Sequence, residues 1–450
     1  MKRMVVLGCI ALCMGLSQAR AGEIRESNKY MIELKGKIPA NLEKLVADAG
    51  GTLLRVHPQI GKAVVVAPDP AFASRMTRNR QVVAVHRDMV LQWTEPLGAV
   101  VQGMEAAPVA AGDPTEATLF PCQWQLRQID APEAWAQGAL GSPSAKVAVI
   151  DTGVDPFHIE LEGRVDEENS TSLLLPGTSA CGADDEDTIH DYAGHGTFMA
   201  SMVTTNGINI AAVAPETQVV AIKVINCEGE GEFSDIITAI LHAADIPDVS
   251  VISLSIGGFV KKTDPGAKEF LRFAREAVDY AFSQGKLVVA VAGNQSTDLR
   301  GVRPLVAVPT ESGQAIGVYA TDVRDQLASY SNWGFPASWI GAPGGDNNTP
   351  KRPFAGCPLP LNQQGRILGA CSSFVCGGEK DQYITGRGTS ISAPVVAGVA
   401  ALVDGQHDGV LSPRRIKVIL KNRADDLGEP GTDPIFGHGR VNAGRAVNHN

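Results

Sequence analysis

The sequence predicts an α/β protein with three layers, in which helices cover both faces of a central parallel sheet, preceded by a small α+β domain. From Trp124 onward, continuous Val, Ile and Leu runs of strand length alternate with helical segments, as in parallel strands buried on both faces. Residues 28–90 give the order β-α-β-β-α-β, which is typical of a ferredoxin-like unit. Residues 95–118 are rich in Ala, Gly, Pro and Glu and separate the two domains.

The elements of the small domain follow from the spacing of its apolar residues. Residues 28–34 alternate as in a strand, and the helical spacing of residues 38–49 stops at Gly50-Gly51. The predicted strands are 28–34, 52–56, 63–67 and 82–85, and the predicted helices are 38–49 and 71–76.

In the larger domain, strand-like runs and helical segments follow one another along the chain. The predicted strands are 146–151, 219–225, 249–255, 287–292 and, as a further candidate, 315–320. The predicted helices are 195–205, 234–245, 267–284, 390–404 and 412–422. Residues 346–383 are irregular and hold three cysteines, so we expect a long loop insertion stapled by disulfides.

The first 21 residues have the pattern of a secretory signal peptide. Lys2 and Arg3 give a positive start, residues 4–16 form a short apolar run, and Ala19-Arg20-Ala21 is a small-residue cleavage site. We therefore expect cleavage after Ala21 and a mature protein in the periplasm or the extracellular medium. No later apolar run is long enough to span a bilayer, so no membrane partner is expected.

The number of cysteines and the net charge further limit the class of protein and its partners. An even number of cysteines remains after the predicted cleavage, which indicates disulfides in an exported chain, although sequence alone does not choose their pairing. No C-x-x-C pair occurs, so a zinc site is not indicated. The formal net charge of −10 argues against nucleic acid as a main partner. The remaining cysteines are Cys122, Cys181, Cys227, Cys357, Cys371 and Cys376.

Four polar residues lie at predicted strand ends or helix starts. Asp151 ends a strand, and ligands bind beyond the carboxyl ends of parallel strands. His195 stands between two glycines at a helix start, and Asn294 follows the strand 287–292, where an amide can donate to an oxyanion. Ser390 opens a helix whose positive end favours an anion. Taken singly, such residues are more commonly turn residues, surface histidines or helix caps.

Taken together, these residues and their neighbours resemble the subtilisin-like serine proteases, or subtilases. The resemblance covers nearly the whole chain after Trp124. Its strings are Val149-Ile150-Asp151-Thr152-Gly153-Val154-Asp155, Gly194-His195-Gly196-Thr197, Ala292-Gly293-Asn294 and Gly388-Thr389-Ser390-x-x-Ala393-Pro394.

By this resemblance, we expect a secreted serine endopeptidase that acts on proteins or peptides. Asp151, His195 and Ser390 would form its catalytic triad, and Asn294 would contribute to the oxyanion hole. A substrate would bind as an added strand between two short segments of the chain. The substrate-binding residues implied in this way are Gly229, Glu230, Gly231, Ser255, Ile256 and Gly257.

The resemblance also implies a zymogen that matures itself. After the signal peptide, 1–21, we expect an inhibitory prodomain at 22–95, a linker with the processing site at 96–118, and a catalytic domain at 119–450. The protein is expected to be a monomer whose partners are its substrates and its own prodomain. The chemistry requires no cofactor, but structural calcium is frequent in the family. Candidate oxygen ligands come from Asp155, Asp166, Glu167, Glu168 and residues 184–187.

The chain departs from the family pattern at four places, one of which is a cysteine-bearing insertion before Ser390 that is longer than the family norm. Phe198-Met199-Ala200-Ser201 follows the histidine motif in place of the usual His-Val-Ala-Gly, and Arg387-Gly388 precedes the serine in place of Ser-Gly. Val308-Pro309-Thr310 replaces an aromatic-Pro-small string near the primary pocket. The specificity of that pocket is therefore not carried over from the family.

Other functions fit the sequence less well. A catalytically silent subtilase-fold module for binding or scaffolding is the alternative, and the intact Asp, His, Asn and Ser argue against it. A lipase of the α/β-hydrolase class requires G-x-S-x-G and the order Ser, Asp, His. A dinucleotide-binding protein requires G-x-G-x-x-G after its first strand. Ser390 comes last of the three, and Asp151-Thr152-Gly153 does not supply the glycine motif.

Overall fold

The structure is a computed structural model that describes residues 25–92, 100–101, 112–261, 267–300, 305–311, 314–334, 339–347, 350 and 352–448. The predicted signal peptide, 1–21, and most of the predicted linker, 96–118, lie outside the described residues. The described chain forms a small N-terminal domain followed by a larger one.

The N-terminal domain is an antiparallel sheet with two helices, in the predicted order. Its elements are β1 (Arg25–Leu34), α1 (Leu42–Asp48), β2 (Thr52–His57), β3 (Lys62–Val66), α2 (Phe72–Met76) and β4 (Val82–Gln92). The strands lie in the order β2-β3-β1-β4. Both helices pack their apolar faces on the sheet, where Tyr30, Val46 and Phe72 share one buried cluster. The predicted ferredoxin-like order of elements is therefore present.

The larger domain follows a short strand, β5 (Val100–Val101). Its next elements are α3 (Trp124–Gln128), α4 (Ala131–Ala136), β6 (Lys146–Asp151), β7 (Thr171–Ser172), α5 (Ala183–Asp187), α6 (His195–Val203), β8 (Val219–Lys223), β9 (Glu230–Glu232), α7 (Phe233–Asp245), β10 (Val249–Leu254), β11 (Gly258–Lys261), α8 (Ala267–Ser283) and β12 (Leu287–Val291). The remaining elements are β13 (Leu305–Val308), β14 (Ile316–Thr321), β15 (Trp339–Pro343), β16 (Ile367–Ala370), β17 (Tyr383–Gly386), α9 (Thr389–Gly405), α10 (Pro413–Asn422) and α11 (Ala443–Val447).

A parallel sheet forms the centre of this domain. Within the described residues it has seven strands, in the order β15-β14-β12-β10-β6-β8-β7. Val147 and Val149 of β6 join a core with α6 and α9, whereas Ala148 and Ile150 join a core with α7 and α8. Both faces are therefore covered, which explains the continuous apolar runs. The predicted three-layer architecture with a central parallel sheet is confirmed.

The central strands lie within two residues of their predicted bounds, but three other predictions need correction. The helix predicted at 38–49 begins only at Leu42, because the two residues before it form a turn. The strand predicted at 82–85 is longer and runs to Gln92, because its end pairs with β9 of the other domain. Residues 346–383 are not wholly irregular, because β16 lies inside them and pairs with β17.

Three disulfides join the cysteines of the larger domain. Cys122–Cys357 fastens the insertion to the start of this domain, and Cys371–Cys376 closes a loop within the insertion. The third joins Cys181 to Cys227. Among the described residues, no helix is long and apolar enough to cross a membrane.

A buried ion pair fastens α5 to the end of β8. The side chains of Lys223 and Asp185 are fully buried and in contact. Lys223 Nζ also donates to the carbonyl of His190, and Asp185 Oδ2 accepts from the backbone N–H of Cys227 at 2.9 Å. Burial lowers the pKa of Lys223, while the contact with Asp185 opposes that shift. Each charge therefore depends on the other to remain inside the protein.

Asp185→Asn should lower the free energy of unfolding by about 3–5 kcal/mol, because it leaves the Lys223 ammonium buried without its anion. The control is Asp184→Asn, an exposed neighbour in the same helix, which should change that free energy by less than about 0.5 kcal/mol. Thermal unfolding of both variants in a Ser390→Ala background, which prevents self-digestion, measures the difference. Equal effects of the two substitutions would contradict this assignment.

Candidate active site

Asp151 and His195 meet at the carboxyl edge of the central sheet. Asp151 is the last residue of β6 and is fully buried, and His195 is the first residue of α6. His195 Nδ1 lies 2.7 Å from Asp151 Oδ1, which also accepts from the backbone N–H of Thr152 at 2.8 Å. Because an ionised carboxylate only accepts, this contact places the imidazole proton on Nδ1 and leaves Nε2 able to accept one.

Glycines let the strand end and the helix start come into backbone contact. A Cβ on Gly196 would lie 2.0 Å from the carbonyl oxygen of Gly153, and a Cβ on Gly153 would lie 2.3 Å from the carbonyl oxygen of Ile189. Gly153 also has a φ of +104°, which other residues rarely adopt. The glycines beside Asp151 and His195 are therefore required by the close approach of the two chain segments.

A buried carboxylate, Asp191, organises the loop before His195. Asp191 Oδ1 accepts from Thr152 Oγ1 at 2.8 Å and from the N–H of Gly194 at 2.7 Å. Its Oδ2 accepts from the N–H and the hydroxyl of Thr197, each at 2.7 Å. The Thr152 hydroxyl in turn accepts from the N–H of Gly196 at 2.8 Å. Asp191 and Thr152 thus fix both ends of the segment that carries His195.

Sequence reasoning missed Asp191 as a residue of this site. Burial raises its pKa, and its hydrogen bonds to Thr197 oppose that shift. The usable signal was its position four residues before His195, with a hydroxyl residue, Thr197, two residues after the histidine.

Ser390 and Asn294 lie close together where α9 begins. Asn294 Oδ1 accepts from the N–H and the hydroxyl of Thr389, each at 2.9 Å, so its Nδ2 points away from Thr389. A Cβ on Gly388 would lie 2.8 Å from Ser390 Oγ and 3.5 Å from Asn294 Nδ2. The hydroxyl and the amide therefore border one small space, which remains open because residue 388 is glycine.

Strand order explains why these residues converge. β6, β10 and β12 are adjacent and parallel, so their carboxyl ends share one edge of the sheet. Asp151 ends β6, the segment 255–257 follows β10, and Asn294 lies just beyond β12. Ser255 and Ile256 are buried, and a Cβ on Gly257 would lie 2.7 Å from Val291 Cγ2.

The second predicted substrate segment, 229–231, overlaps β9. The edge of β9 is occupied by β4 of the N-terminal domain in an antiparallel pair. In that pair Gln92 lies opposite Glu230, and Leu91 lies opposite Gly231. Gly229 precedes the strand in a left-handed conformation, with a φ of +80°. A peptide strand is thus already bound where the sequence predicted a substrate.

Several carboxylates that the sequence suggested as calcium ligands bond to other groups of the protein. Asp155 Oδ2 accepts from the N–H and the hydroxyl of Ser373, and Asp185 pairs with Lys223. Asp166 Oδ2 pairs with Lys146 at 2.8 Å. The part of the chain that the structure describes holds no group of three or more His, Cys, Asp or Glu residues that could hold a metal ion.

Comparison with known proteins decides the family. The model of the subtilase family matches residues 142–439, well over half of the chain. The chain belongs to the subtilase family. It is thus a subtilisin-like serine peptidase, as the sequence motifs indicated.

Named relatives and solved structures agree with this assignment. The subtilase is 30% identical to thermitase of Thermoactinomyces vulgaris over 338 residues, which cover 73% of this chain and 96% of thermitase. It is 31% identical to subtilisin BL of Lederbergia lenta over 326 residues, which cover 72% of this chain and 98% of subtilisin BL. A solved lanthipeptide protease has a TM-score of 0.60 at 26% identity, covering 77% of this subtilase and 99% of that chain.

A second solved structure resembles the subtilase over nearly its whole length. It is the epidermin leader peptide processing serine protease of Staphylococcus aureus, with a TM-score of 0.72. The alignment covers 94% of this chain and 98% of that protein, at 22% identity. At this level of identity, the likeness establishes a common fold.

Thr152→Val should lower the free energy of unfolding by about 1–3 kcal/mol, because it leaves the N–H of Gly196 buried without a partner and removes one of the donors to Asp191 Oδ1. Thr152→Ser, which keeps the hydroxyl, is the matched control and should lose less. Thermal unfolding of both variants in a Ser390→Ala background measures the difference. If Thr152→Val is no less stable than Thr152→Ser, the hydroxyl does not make the contribution assigned to it here.

Proposed function

We propose that this subtilase is a secreted serine endopeptidase, made as a zymogen that matures itself. The observation that carries the proposal is the buried 2.7 Å contact between Asp151 and His195, at the same sheet edge where Ser390 and Asn294 border one space. A nucleophile, a base with a fixed tautomer and an amide donor are the groups that acyl transfer requires.

In the proposed mechanism, Ser390 Oγ attacks the scissile carbonyl and His195 Nε2 takes its proton. Asp151 holds the imidazole and stabilises the imidazolium that forms. Asn294 Nδ2 and the N–H of Ser390 donate to the oxyanion, and the positive end of α9 adds to this stabilisation. His195 then protonates the leaving amine, the acyl-enzyme forms, and water releases the second product by the reverse transfers.

The pairing of β4 with β9 supports an inhibitory role for residues 22–95. An inhibitor that occupies the substrate edge competes directly with substrates for the same backbone hydrogen bonds. On the other side of the site, β5 pairs with β17, with Val100 opposite Ile384 and Val101 opposite Tyr383. Residues 93–99 connect these two pairings, and β17 leads directly toward Ser390. We therefore propose that processing occurs between Gln92 and Val100, inside or just before the predicted linker.

Export is proposed from the N-terminal signal pattern, with cleavage after Ala21. The disulfides support an oxidising compartment, because such bonds form and persist outside the cytoplasm. We propose that the enzyme acts as a monomer on peptides and proteins, without a cofactor in the chemistry.

Residues 22–450 produced in an oxidising compartment should shorten with time to a chain that begins after Gln92 and no later than Val100, and this chain should hydrolyse casein. Ser390→Ala should remain whole, because it lacks the nucleophile, whose loss costs about 10⁶-fold in turnover. Intact mass measured over time, with N-terminal sequencing of the product, distinguishes the two chains. If neither chain is cut or active after an added protease removes the N-terminal domain, the module would be a binding or scaffold protein.

Asp88 gives the bound prodomain a pH dependence. This fully buried carboxyl accepts from the N–H of Ser234 at the start of α7, and burial together with the nearby Glu232 raises its pKa to about 7. Because the bound state prefers the protonated form, its contribution to affinity is fully present below the ordinary pKa of 3.8. That contribution is lost as the pH rises through about 7.

Burial lowers the pKa of His57, which contacts Thr238 in the same interface, to about 4, and this changes the affinity in the opposite direction. The affinity of the unaltered cut complex relative to that of Asp88→Asn should therefore fall by at least about tenfold between pH 5 and pH 8. Gel filtration of the processed protein at the two pH values measures the bound fraction without depending on activity. Asp88→Asn keeps an acceptor for Ser234 and does not titrate, so it is the reference that isolates the contribution of Asp88 from that of His57. A difference that persists unchanged in Asp88→Asn would exclude Asp88 as its source.

A further inference from the structure

A cluster of opposite charges lies where the N-terminal domain meets the substrate edge. Lys29 of β1 is almost fully buried, and its Nζ lies 2.7 Å from Asp235 Oδ2 and in contact with Glu232. Arg55 Nη1 lies 3.0 Å from Asp235 Oδ1, and the hydroxyl of Ser27 donates to Glu232. The cations belong to the N-terminal domain, and the carboxylates belong to the catalytic domain.

Release of the N-terminal domain removes these partners from both carboxylates. The side chain of Asp235 is 2% exposed and that of Glu232 is 14% exposed while Lys29 is in place. Burial alone would lower the pKa of Lys29, but attraction to Asp235 and Glu232 outweighs it and raises that pKa. The site is thus built to hold an ammonium ion, and its loss uncovers two adjacent anions.

The strand register shows which part of a substrate would reach these anions. Val90 lies opposite Glu232 in the pair between β4 and β9. Directly opposite residues of antiparallel strands point to the same face, with Cβ atoms about 4.5–5.5 Å apart. A substrate strand that replaces β4 therefore places one side chain, at the position of Val90, beside the Glu232 carboxylate. Opposite charges in such a pair attract and like charges repel.

The neighbouring sequence strengthens the negative potential at this edge. Glu228 and Glu230 lie on the same short segment as Glu232, and Asp235 follows in the first turn of α7. A Lys or Arg side chain has a long apolar stem that can follow the surface and bring its charge to the two carboxylates. Lys29 of the N-terminal domain and a lysine of a substrate present the same ammonium group to this site.

We propose that Glu232 and Asp235 form a cation subsite in the mature enzyme, which takes a Lys or Arg side chain of the substrate at the position paired with Glu232. Lys29 fills this subsite in the zymogen. The inference rests on the proposed function, because it assumes that a substrate strand replaces β4 on β9. It assigns a preference for basic residues upstream of the cleaved bond.

Peptide substrates test the subsite on the unaltered enzyme. Three fluorogenic peptides carry residues 86–103 of this chain, which include the whole proposed processing window, with Val90→Lys, Val90→norleucine or Val90→Glu. The value of kcat/KM should be about fivefold higher for the Lys peptide than for the norleucine peptide, and lowest for the Glu peptide. The preference should shrink in 0.5 M NaCl, because salt screens partly exposed charges. Equal rates for Lys and norleucine would overturn the inference.

Variants assign the preference to particular carboxylates. Glu232→Gln and Asp235→Asn should each bring the ratio of kcat/KM for the Lys and norleucine peptides close to one. Asp245→Asn removes the same charge about 15 Å further along α7 and should keep the ratio of the unaltered enzyme. A ratio that falls equally in all three variants would show a general effect of net charge and would contradict a local subsite.

Two failures remain distinguishable in this design. An enzyme that hydrolyses casein but cleaves none of the three peptides would overturn the inferred register and leave the proposed function standing. A chain that neither matures nor hydrolyses casein would overturn the proposed function itself. If Asp235→Asn does not mature because the N-terminal domain docks through Asp235, Glu232→Gln and the peptide series on the unaltered enzyme still decide the question.

Discussion

The hydrogen bond between Asp151 and His195 is the contact on which the arrangement of the catalytic domain depends. A carboxylate buried at the end of β6 is costly unless it has polar partners, and the imidazole and the Thr152 N–H supply them to Oδ1. This requires α6 to begin almost in backbone contact with the strand end, which glycines at 153 and 196 permit. Asp191 then holds the intervening loop through hydrogen bonds to both sides of it. The rest of the site follows from the parallel sheet, since adjacent strands bring their carboxyl ends to the same edge.

The N-terminal domain meets this edge through charged groups as well as through backbone pairing. Its strand β4 supplies the antiparallel partner of β9, while Lys29 and Arg55 supply cations to Asp235. Buried ion pairs contribute less net affinity than their short distances suggest, because both ions lose water. They do specify which surfaces meet, since a mismatched surface would leave a buried charge alone. Ion pairs of this kind therefore favour the pairing of these two surfaces over their pairing with others.

Much of the fold was predictable because its strands and helices follow from local patterns of apolar and polar residues. The continuous apolar runs located the central strands, and Asp151, His195, Asn294 and Ser390 stood at strand ends and helix starts that the structure brings to one edge. β9 was not predicted as a strand because Glu-Gly-Glu has no apolar alternation and pairs with a strand from the other domain. Asp191 was missed because its partners are backbone groups and hydroxyls, which leave no periodic signal. The disulfide between Cys122 and Cys357 joins residues 235 positions apart, a separation that no local pattern can specify.

The identity of the nucleophile is the central claim, and labelling with a fluorophosphonate tests it most directly. Such a reagent phosphonylates a serine only where a neighbouring base and an oxyanion hole activate its hydroxyl. Peptide mapping of the processed protein should find one adduct, on Ser390, and a His195→Ala chain should carry none. An unlabelled processed protein, or an adduct on a different serine, would contradict the account of this site as the active site of a serine peptidase.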